Sequence, residues 1–274
     1  MGRAFRISAI ALLAVPVPLF ARGVSTATLF VARVNLGSVT PARAIAPPQS
    51  RTIVQVTSDR PWQLAASLES AAGSTEKIEL STDATTWIPL VPALPLPVGS
   101  GDVTPPDGIP VSLYVRVKPT FNAPPGRRQS AIALLLNGQK IETPLRLAYE
   151  IPPTVSIEED QTAFAITADQ PNERRDWDFS PHVYVVHSNT DWVLEIAPHA
   201  TQADAAYSIS VLDDGGSYRK LEQSMTIATG GPTGDSGTNV RVQLRLHLND
   251  TAPAGKYATM IDVRARLAAA ASQQ

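Results

Sequence analysis

The chain has 274 residues, a formal net charge of −2, 24 prolines and no cysteine. Its length exceeds the roughly 100 to 150 residues of a common single domain, so two domains are predicted. The lack of cysteine excludes disulfides and thiol chemistry, and the acidic balance argues against a nucleic-acid partner.

The N-terminus has the order of a secretory signal peptide. Two arginines precede an apolar run over residues 7–20, and small residues follow. Cleavage is expected after Ala27 or after Gly23, and the predicted signal peptide spans residues 1–27. The alternative is a membrane anchor, but the run contains two prolines and is shorter than the roughly 20 residues of a span. We therefore expect a secreted or cell-envelope protein, in the periplasm or at the cell surface, without a transmembrane span after cleavage.

One pattern occurs twice, about 130 residues apart, which predicts a duplicated module. VTSDRPWQL at residues 56–64 and VHSNTDWVL at residues 186–194 share Ser, Trp and Leu at the same three places. Two further pairs of stretches match in the same order: 78–90 with 209–221, and 113–126 with 242–255. The prolines of YEIPPT separate the copies, so the predicted domains are residues 28–149 and 150–274.

Alternating apolar and polar residues within each copy predict strands with one buried face. Leu113, Val115 and Val117 show this alternation in the first copy. Asn137-Gly138 between two such runs is a strong signal for a two-residue hairpin turn. The predicted fold class is all-β, with two tandem immunoglobulin-like β-sandwich domains after the signal peptide.

A pattern V-x-S-x-x-x-W-x-L, followed by an alternating strand, an A-P-x-G turn and another strand, resembles bacterial immunoglobulin-like modules of exported and surface proteins. It is similar in particular to the BACON type. The resemblance covers most of residues 35–149 and the later part of 155–267. It implies the sandwich fold and, for some such modules, contact with glycans or mucin. It offers no catalytic residues, and the first strands of the second copy depart from the pattern.

The four tryptophans divide into two pairs. Trp62 and Trp192 stand at one place in both copies and are predicted to fill the cores, although an indole can also stack on a sugar ring. Trp87 and Trp177 are the candidate ligand contacts, and the charges around Trp177 favour partial exposure.

No motif predicts a catalytic, cofactor or metal site. A zinc site needs three or four converging ligands, whereas the histidines are scattered. Hydrolysis needs an activated nucleophile or two opposed carboxylates, and neither has a recognisable pattern here. The sequence favours a non-enzymatic structural or adhesive protein whose partners are other envelope or surface proteins, or further copies of itself. The alternative is a carbohydrate-binding module with a glycan as partner.

The two copies differ at their ends. The hairpin of the first copy leads into an alternating closing strand at residues 141–149, whereas residues 260–265 of the second are followed only by RLAAAASQQ. A sandwich without that strand has an unpaired edge to which another strand can add.

Two solutions remain open for this edge. In the first, residues 155–168 or a local rearrangement cover it within the chain. In the second, residues 28–36 insert into the second domain of a neighbouring subunit, which builds an open-ended filament or surface layer. The inserted face would consist of Phe30, Val34 and Leu36.

Overall fold

A computed structural model describes residues 24–41, 46–69, 76–159, 161–169, 174–199, 206–213 and 216–268. The regular secondary structure within these ranges consists of β-strands, which confirms the predicted all-β class. We call residues 24–151 the first half and residues 152–268 the second half. Residues 1–23 of the predicted signal peptide lie outside the described residues, whereas Ser25, Thr26 and Ala27 are described and pair with residues 56–58 in a sheet. Of the two expected cleavage sites, only the one after Gly23 leaves this pairing whole. None of the described residues belongs to a helix long and apolar enough to cross a membrane.

The first half is a sandwich of two sheets. Its strands are β1 (Ser25–Leu29), β2 (Arg33–Ser38), β3 (Gln49–Ser58), β4 (Trp62–Leu68), β5 (Lys77–Ser81), β6 (Ile88–Pro89), β7 (Leu96–Gly101), β8 (Ile109–Lys118), β9 (Gly126–Leu136), β10 (Gln139–Lys140) and β11 (Leu145–Ile151). One sheet has the order β1-β3-β8-β5-β6 and the other β2-β11-β9-β4-β7, with β10 beside β9. The strands β1-β3-β8-β5 against β4-β9-β11 reproduce the A-B-E-D and C-F-G sheets of an immunoglobulin-like fold.

Period-two alternation builds the core of this sandwich. Leu113, Val115 and Val117 on β8 are 0% exposed. They belong to one hydrophobic cluster with Leu64 and Leu134 of the opposite sheet. Each strand thus buries one face between the sheets, as the alternation predicted.

The predicted hairpin is confirmed. Asn137 and Gly138 have φ of 52° and 78°, the positive values that a two-residue hairpin turn requires, and Leu136 pairs with Gln139 across it. The chain then enters β11, whose core-facing Leu145 and Leu147 are 0% and 1% exposed. This is the predicted closing strand of the first half.

The second half repeats the sandwich with differences. Its strands are β12 (Val155–Ile157), β13 (Gln161–Ala168), β14 (Asp176–Asp178), β15 (His182–Ser188), β16 (Trp192–Pro198), β17 (Tyr207–Leu212), β18 (Tyr218–Lys220), β19 (Met225–Gly230), β20 (Thr238–Val242), β21 (Leu244–Leu248) and β22 (Gly255–Leu267). They form sheets β12-β15-β20, β14-β21-β17-β18 and β13-β22-β16-β19.

Two short sheets here take the place of the five-stranded sheet of the first half. The position of the long strand β3 is shared by β14 and β15, and that of β8 by β20 and β21. Pro181, just before β15, has no N–H to donate to a ladder, which explains why the long strand is interrupted. The first strands of the second copy therefore do form, in two pieces.

Two hydrogen bonds of the motif serine, together called the polar clamp, explain why serine recurs at this place in both halves. The backbone N–H of Ser58 donates to Thr104 Oγ1 at 2.9 Å, and that of Ser188 to Thr233 Oγ1 at 2.8 Å. Each serine hydroxyl donates to the carbonyl two residues on, at 2.7 Å in both halves. The clamp ties the end of β3 to the loop before β8, and the end of β15 to the loop before β20. Both modules therefore need Ser at this place.

Thr233→Val is expected to lower the free energy of unfolding by about 1–3 kcal/mol, the scale for a buried donor that loses its acceptor. Ser188 is 0% exposed, so water cannot replace the lost oxygen. Urea denaturation measures the change, and Thr104→Val is the matched variant in the first half. Wild-type stability in both variants would contradict a structural role for the clamp.

The halves contact each other through a short junction. Asn189, 2% exposed, accepts a hydrogen bond from the N–H of Thr154 at 2.8 Å. Its amide donates to the carbonyls of Ala123 and Pro152, both at 3.2 Å. Asp235 accepts from the backbone N–H of Phe121 at 2.8 Å. Three backbone segments thus meet around Asn189. The division into two domains stays a prediction.

Candidate functional site

The candidate site is the outer edge of β13. In the first half β9 lies between β4 and β11; in the second half β22 lies between β16 and β13, so β13 occupies the place of the closing strand. It pairs antiparallel with β22 over its whole length, from Gln161↔Asp262 to Ala168↔Gly255, without a register shift. In this structure the gap is filled from within the chain, as the first of the two solutions has it.

β13 fills its place less completely than β11 does. The inward-facing residues of β11 are at most 5% exposed. On β13, Thr162 and Ala168 are buried, but Phe164 and Ile166 between them are only partly buried. In the first half β2 lies outside the closing strand and buries Val34 at its side. No described strand takes that position beside β13.

Other edge strands of the described residues carry features that discourage pairing. Charged side chains lie on β2, β14, β18 and β20, and β6 and β7 contain prolines. β19 is bulged against β16, and β1 and β12 have five and three residues. β13 has eight residues, QTAFAITA, without charge, proline or bulge. It therefore lacks the usual protection of a sheet edge.

The segment predicted to donate a strand lies in its own first half. β2 pairs parallel with β11, with Val34 opposite Leu147. Val34 and Leu36 are 4% and 7% exposed, and Phe30 is 66% exposed. The three residues therefore do not share one buried face here. Insertion of this segment into a neighbour would require β2 to leave its own core.

The two aligned tryptophans are buried, as predicted. Trp62 is 5% and Trp192 2% exposed. Trp192 Nε1 donates to the carbonyl of Gly231 at 2.8 Å. Both indoles belong to core clusters, so neither is available to stack on a ligand.

The other two tryptophans lie in different halves, each partly buried and stacked against an arginine. The guanidinium carbon of Arg116 lies 4.1 Å from the Trp87 ring centre, and that of Arg174 lies 4.2 Å from the Trp177 ring centre. Trp177 Nε1 is buried and has no hydrogen-bond partner. One face of each indole is thus occupied, and Trp177 also packs against the buried cluster that contains Leu246 and Leu248. Their role as ligand contacts stays a prediction.

The arginine stacked on Trp87 has a counterpart in the second half. Arg245 lies 3.8 Å from the Tyr218 ring centre, at the position aligned with Arg116 and Trp87. Arg116 also pairs with Glu79 at 2.6 Å, and Arg245 with Asp178 at 2.6 Å. The hydrogen bond from Arg245 lowers the pKa of the Asp178 carboxyl. Repetition in both copies indicates that this arginine and aromatic pair serves the fold.

Each of the four histidines lies within 4 Å of a carboxylate. The contacts are His182 with Glu159 at 2.9 Å, His187 with Glu158 at 3.8 Å, His199 with Asp262 at 2.9 Å and His247 with Asp176 at 2.7 Å. Within the described ranges no three His, Asp or Glu side chains converge as metal ligands.

The exposed, uncharged edge of β13 and the junction around Asn189 are among the features that were not predicted from the sequence. The uncharged run QTAFAITA was a usable signal for the edge, because its length and composition are typical of a β-strand. Asn189 carried no such signal, since its partners come from segments far away in the chain.

No family model and no curated protein matches the chain. A chain of the CsuC–CsuE chaperone–tip adhesion subunit complex of Acinetobacter baumannii Csu pili is 12% identical, with 88% of this chain and 100% of that chain covered and a TM-score of 0.45. The CupB6 tip adhesin of Pseudomonas aeruginosa is 7% identical, with 86% and 92% covered and a TM-score of 0.27. A protein of unknown function from Porphyromonas gingivalis W83 is 10% identical, with 81% and 83% covered and a TM-score of 0.28. With TM-scores below 0.5, these matches carry no conclusion about function. The BACON-type resemblance stays a prediction.

Proposed function

We propose that the protein is a non-enzymatic structural or adhesive component of the cell envelope or surface, which binds other proteins by accepting an extended strand at the outer edge of β13. This proposal rests on one observation: β13 is an uncharged edge strand of eight residues, whereas the other long edge strands of the described residues bear charges, prolines or bulges. The signal-peptide pattern motivates the location.

The chemistry of the added strand follows from its position. Backbone hydrogen bonds to β13 provide affinity, and side chains at alternate positions reach the partly buried Phe164 and Ile166. The first half offers a template, because β2 places Val34 and Leu36 beside its closing strand in this way. The partner strand therefore carries two aliphatic residues separated by one position. It belongs to another envelope protein or to a second copy of this chain, which would build a filament.

Strand addition is expected to be blocked by Ala163→Lys or Ala165→Lys. Both alanines are exposed on β13, so a lysine there leaves the core intact and opposes a strand at the edge. The probe is a labelled synthetic peptide of residues 28–38, which contains β2, and the readout is fluorescence anisotropy against the mature protein. Saturable binding is expected for the wild type, with a loss of at least about tenfold in either variant.

The matched control is Ala258→Lys. Ala258 is exposed on β22 and is the direct cross-strand partner of Ala165, one strand further from the edge. Binding should survive this change. Absence of peptide binding by the wild type would contradict strand addition at the outer edge of β13. An equal loss of binding in the control variant would contradict it as well. Separately, recovery of the native protein from the cytosol in cell fractionation would contradict the envelope location.

A further inference from the structure

The hydrogen bonds of β22 show which backbone groups of β13 face its free side. The N–H of His199 donates to the carbonyl of Met260 at 3.1 Å, so Met260 directs its backbone groups away from β13. Its neighbour Thr259 therefore directs its groups towards β13, where it is paired with Phe164. Because such groups alternate along a strand, Phe164 bonds to β22 and Ala165 faces the free side. We call four residues of β13 outward-facing for this reason: Gln161, Ala163, Ala165 and Thr167.

Side chains on both faces of β13 suit a second strand beside it. The side chains of the four outward-facing residues are exposed and uncharged, and two of them are single methyl groups. On the other face, Phe164 and Ile166 are partly buried and pack against the core of the second half. An added strand would cover the exposed remainder of these two side chains, which removes apolar surface from water.

The strand β13 is complementary to a second copy of itself. When an antiparallel copy is placed with Ala165 opposite Ala165 of the second copy, Phe164 stands opposite Ile166 of that copy, and Ala163 opposite its Thr167. The apolar side chains then meet each other on one face, and the small side chains meet on the other. Three pairs of outward-facing residues bond to each other in this register, which gives about six backbone hydrogen bonds.

The absence of charge on β13 favours its own copy as the partner. In a two-fold pairing each side chain faces one from the same short strand, so a charge on the strand would lie close to its own like charge. Like charges opposite each other on neighbouring strands are destabilising. The described edge strands β2, β14, β18 and β20 carry charged side chains, whereas QTAFAITA carries none. Among these strands only β13 can therefore pair with itself without such repulsion.

We infer that the outer edges of β13 in two copies pair antiparallel across a two-fold axis at Ala165, which joins their four-stranded sheets into one continuous sheet. The inference rests on the proposed function, because it uses the same edge and names a partner for it. The contact is isologous and closes on itself, so the product is a dimer that does not grow. No strand has to leave its own core for this pairing, unlike β2, whose Val34 is 4% exposed in place.

Self-pairing also has a consequence for strands from other proteins. The dimer uses the backbone groups of the outward-facing residues in both copies, and an added strand needs the same groups. The two events therefore compete for one edge. The peptide of residues 28–38 is expected to dissociate the dimer at high peptide concentration, and dilution of the protein is expected to strengthen peptide binding.

Engineered cysteines test the pairing and its register, because the chain has no cysteine of its own. In a hydrogen-bonded antiparallel pair the Cα atoms lie about 5.5 Å apart, within the roughly 4.4–6.8 Å of a disulfide. Ala165→Cys is therefore expected to give a disulfide-linked dimer under mild oxidation, seen by non-reducing electrophoresis. In Ala163→Cys the two cysteines lie about 14 Å apart along the strands, so this variant should stay monomeric. Mixed with Thr167→Cys, it should cross-link.

Sedimentation velocity of the mature protein without cysteine tests the same contact under reversible conditions. Over a concentration series the wild type is expected to show monomer and dimer and no larger species. Ala165→Lys is expected to weaken the dimer at least about tenfold, because two lysines then face each other at the axis. The matched control is Ala258→Lys on β22, one strand away from the edge, which should leave the dimer unchanged.

The outcomes separate this inference from the proposed function. A wild type that stays monomeric throughout and binds the peptide of residues 28–38 overturns the inference and leaves strand addition intact. A monomeric wild type that binds no peptide contradicts both. Equal cross-linking of Ala163→Cys and Ala165→Cys would indicate random collision and overturn the inference, and so would a dimer that Ala165→Lys does not weaken.

Discussion

Replacement of Trp192 by alanine is expected to lower the free energy of unfolding by about 3–5 kcal/mol, the range for emptying a large aromatic site in a core. The indole is 2% exposed and packs in the core cluster of the second half. Its loss also leaves the carbonyl of Gly231 without a donor. Trp62→Ala should cost a similar amount, towards the lower end, because the Trp62 Nε1 has no hydrogen-bond partner to lose.

Urea denaturation followed by far-ultraviolet circular dichroism measures both changes, since this signal does not depend on the deleted fluorophore. Trp87→Ala is the matched control. Its ring is partly exposed and stacked on Arg116, so a much smaller loss is expected. Near-wild-type stability of both core variants would show that packing of these two rings does not stabilise the two cores.

The second large effect is expected at the glycine facing each core tryptophan. Gly230 pairs with Trp192 across β19 and β16, and Gly101 pairs with Trp62 across β7 and β4. A Cβ added at Gly230 would lie 2.6 Å from Trp192 Cζ2, and one at Gly101 would lie 3.1 Å from Trp62 Nε1. Gly230→Ala should therefore destabilise the protein by about 1–3 kcal/mol, the cost of overpacking, and Gly101→Ala by less.

A double-mutant cycle tests the cause. If the clash with the indole is responsible, Gly230→Ala should cost little in a Trp192→Ala background, because the added methyl group then enters vacated space. Equal cost in both backgrounds would place the effect in the backbone of β19. A larger loss of stability in Gly101→Ala than in Gly230→Ala would contradict the order expected from the two distances.

The elements that the sequence predicted correctly depend on short-range patterns. The Asn137-Gly138 hairpin needs only two residues that accept positive φ, and the closing strand β11 needs only alternation. Burial of Trp62 and Trp192 followed from their recurrence at one place in two copies. The departure of the second copy from the repeat also indicated that its closing strand had to come from elsewhere.

The tertiary structure alone decided the elements that rest on contacts between distant segments. Thr104 and Thr233 accept hydrogen bonds from the motif serines. Gly101 and Gly230 are the cross-strand partners of the core tryptophans. Sheet register sets which of these residues meet. Register also placed β13 beside β22. Its free outer edge reflects which strands lie beside it in space, and local sequence patterns carry no record of such neighbours.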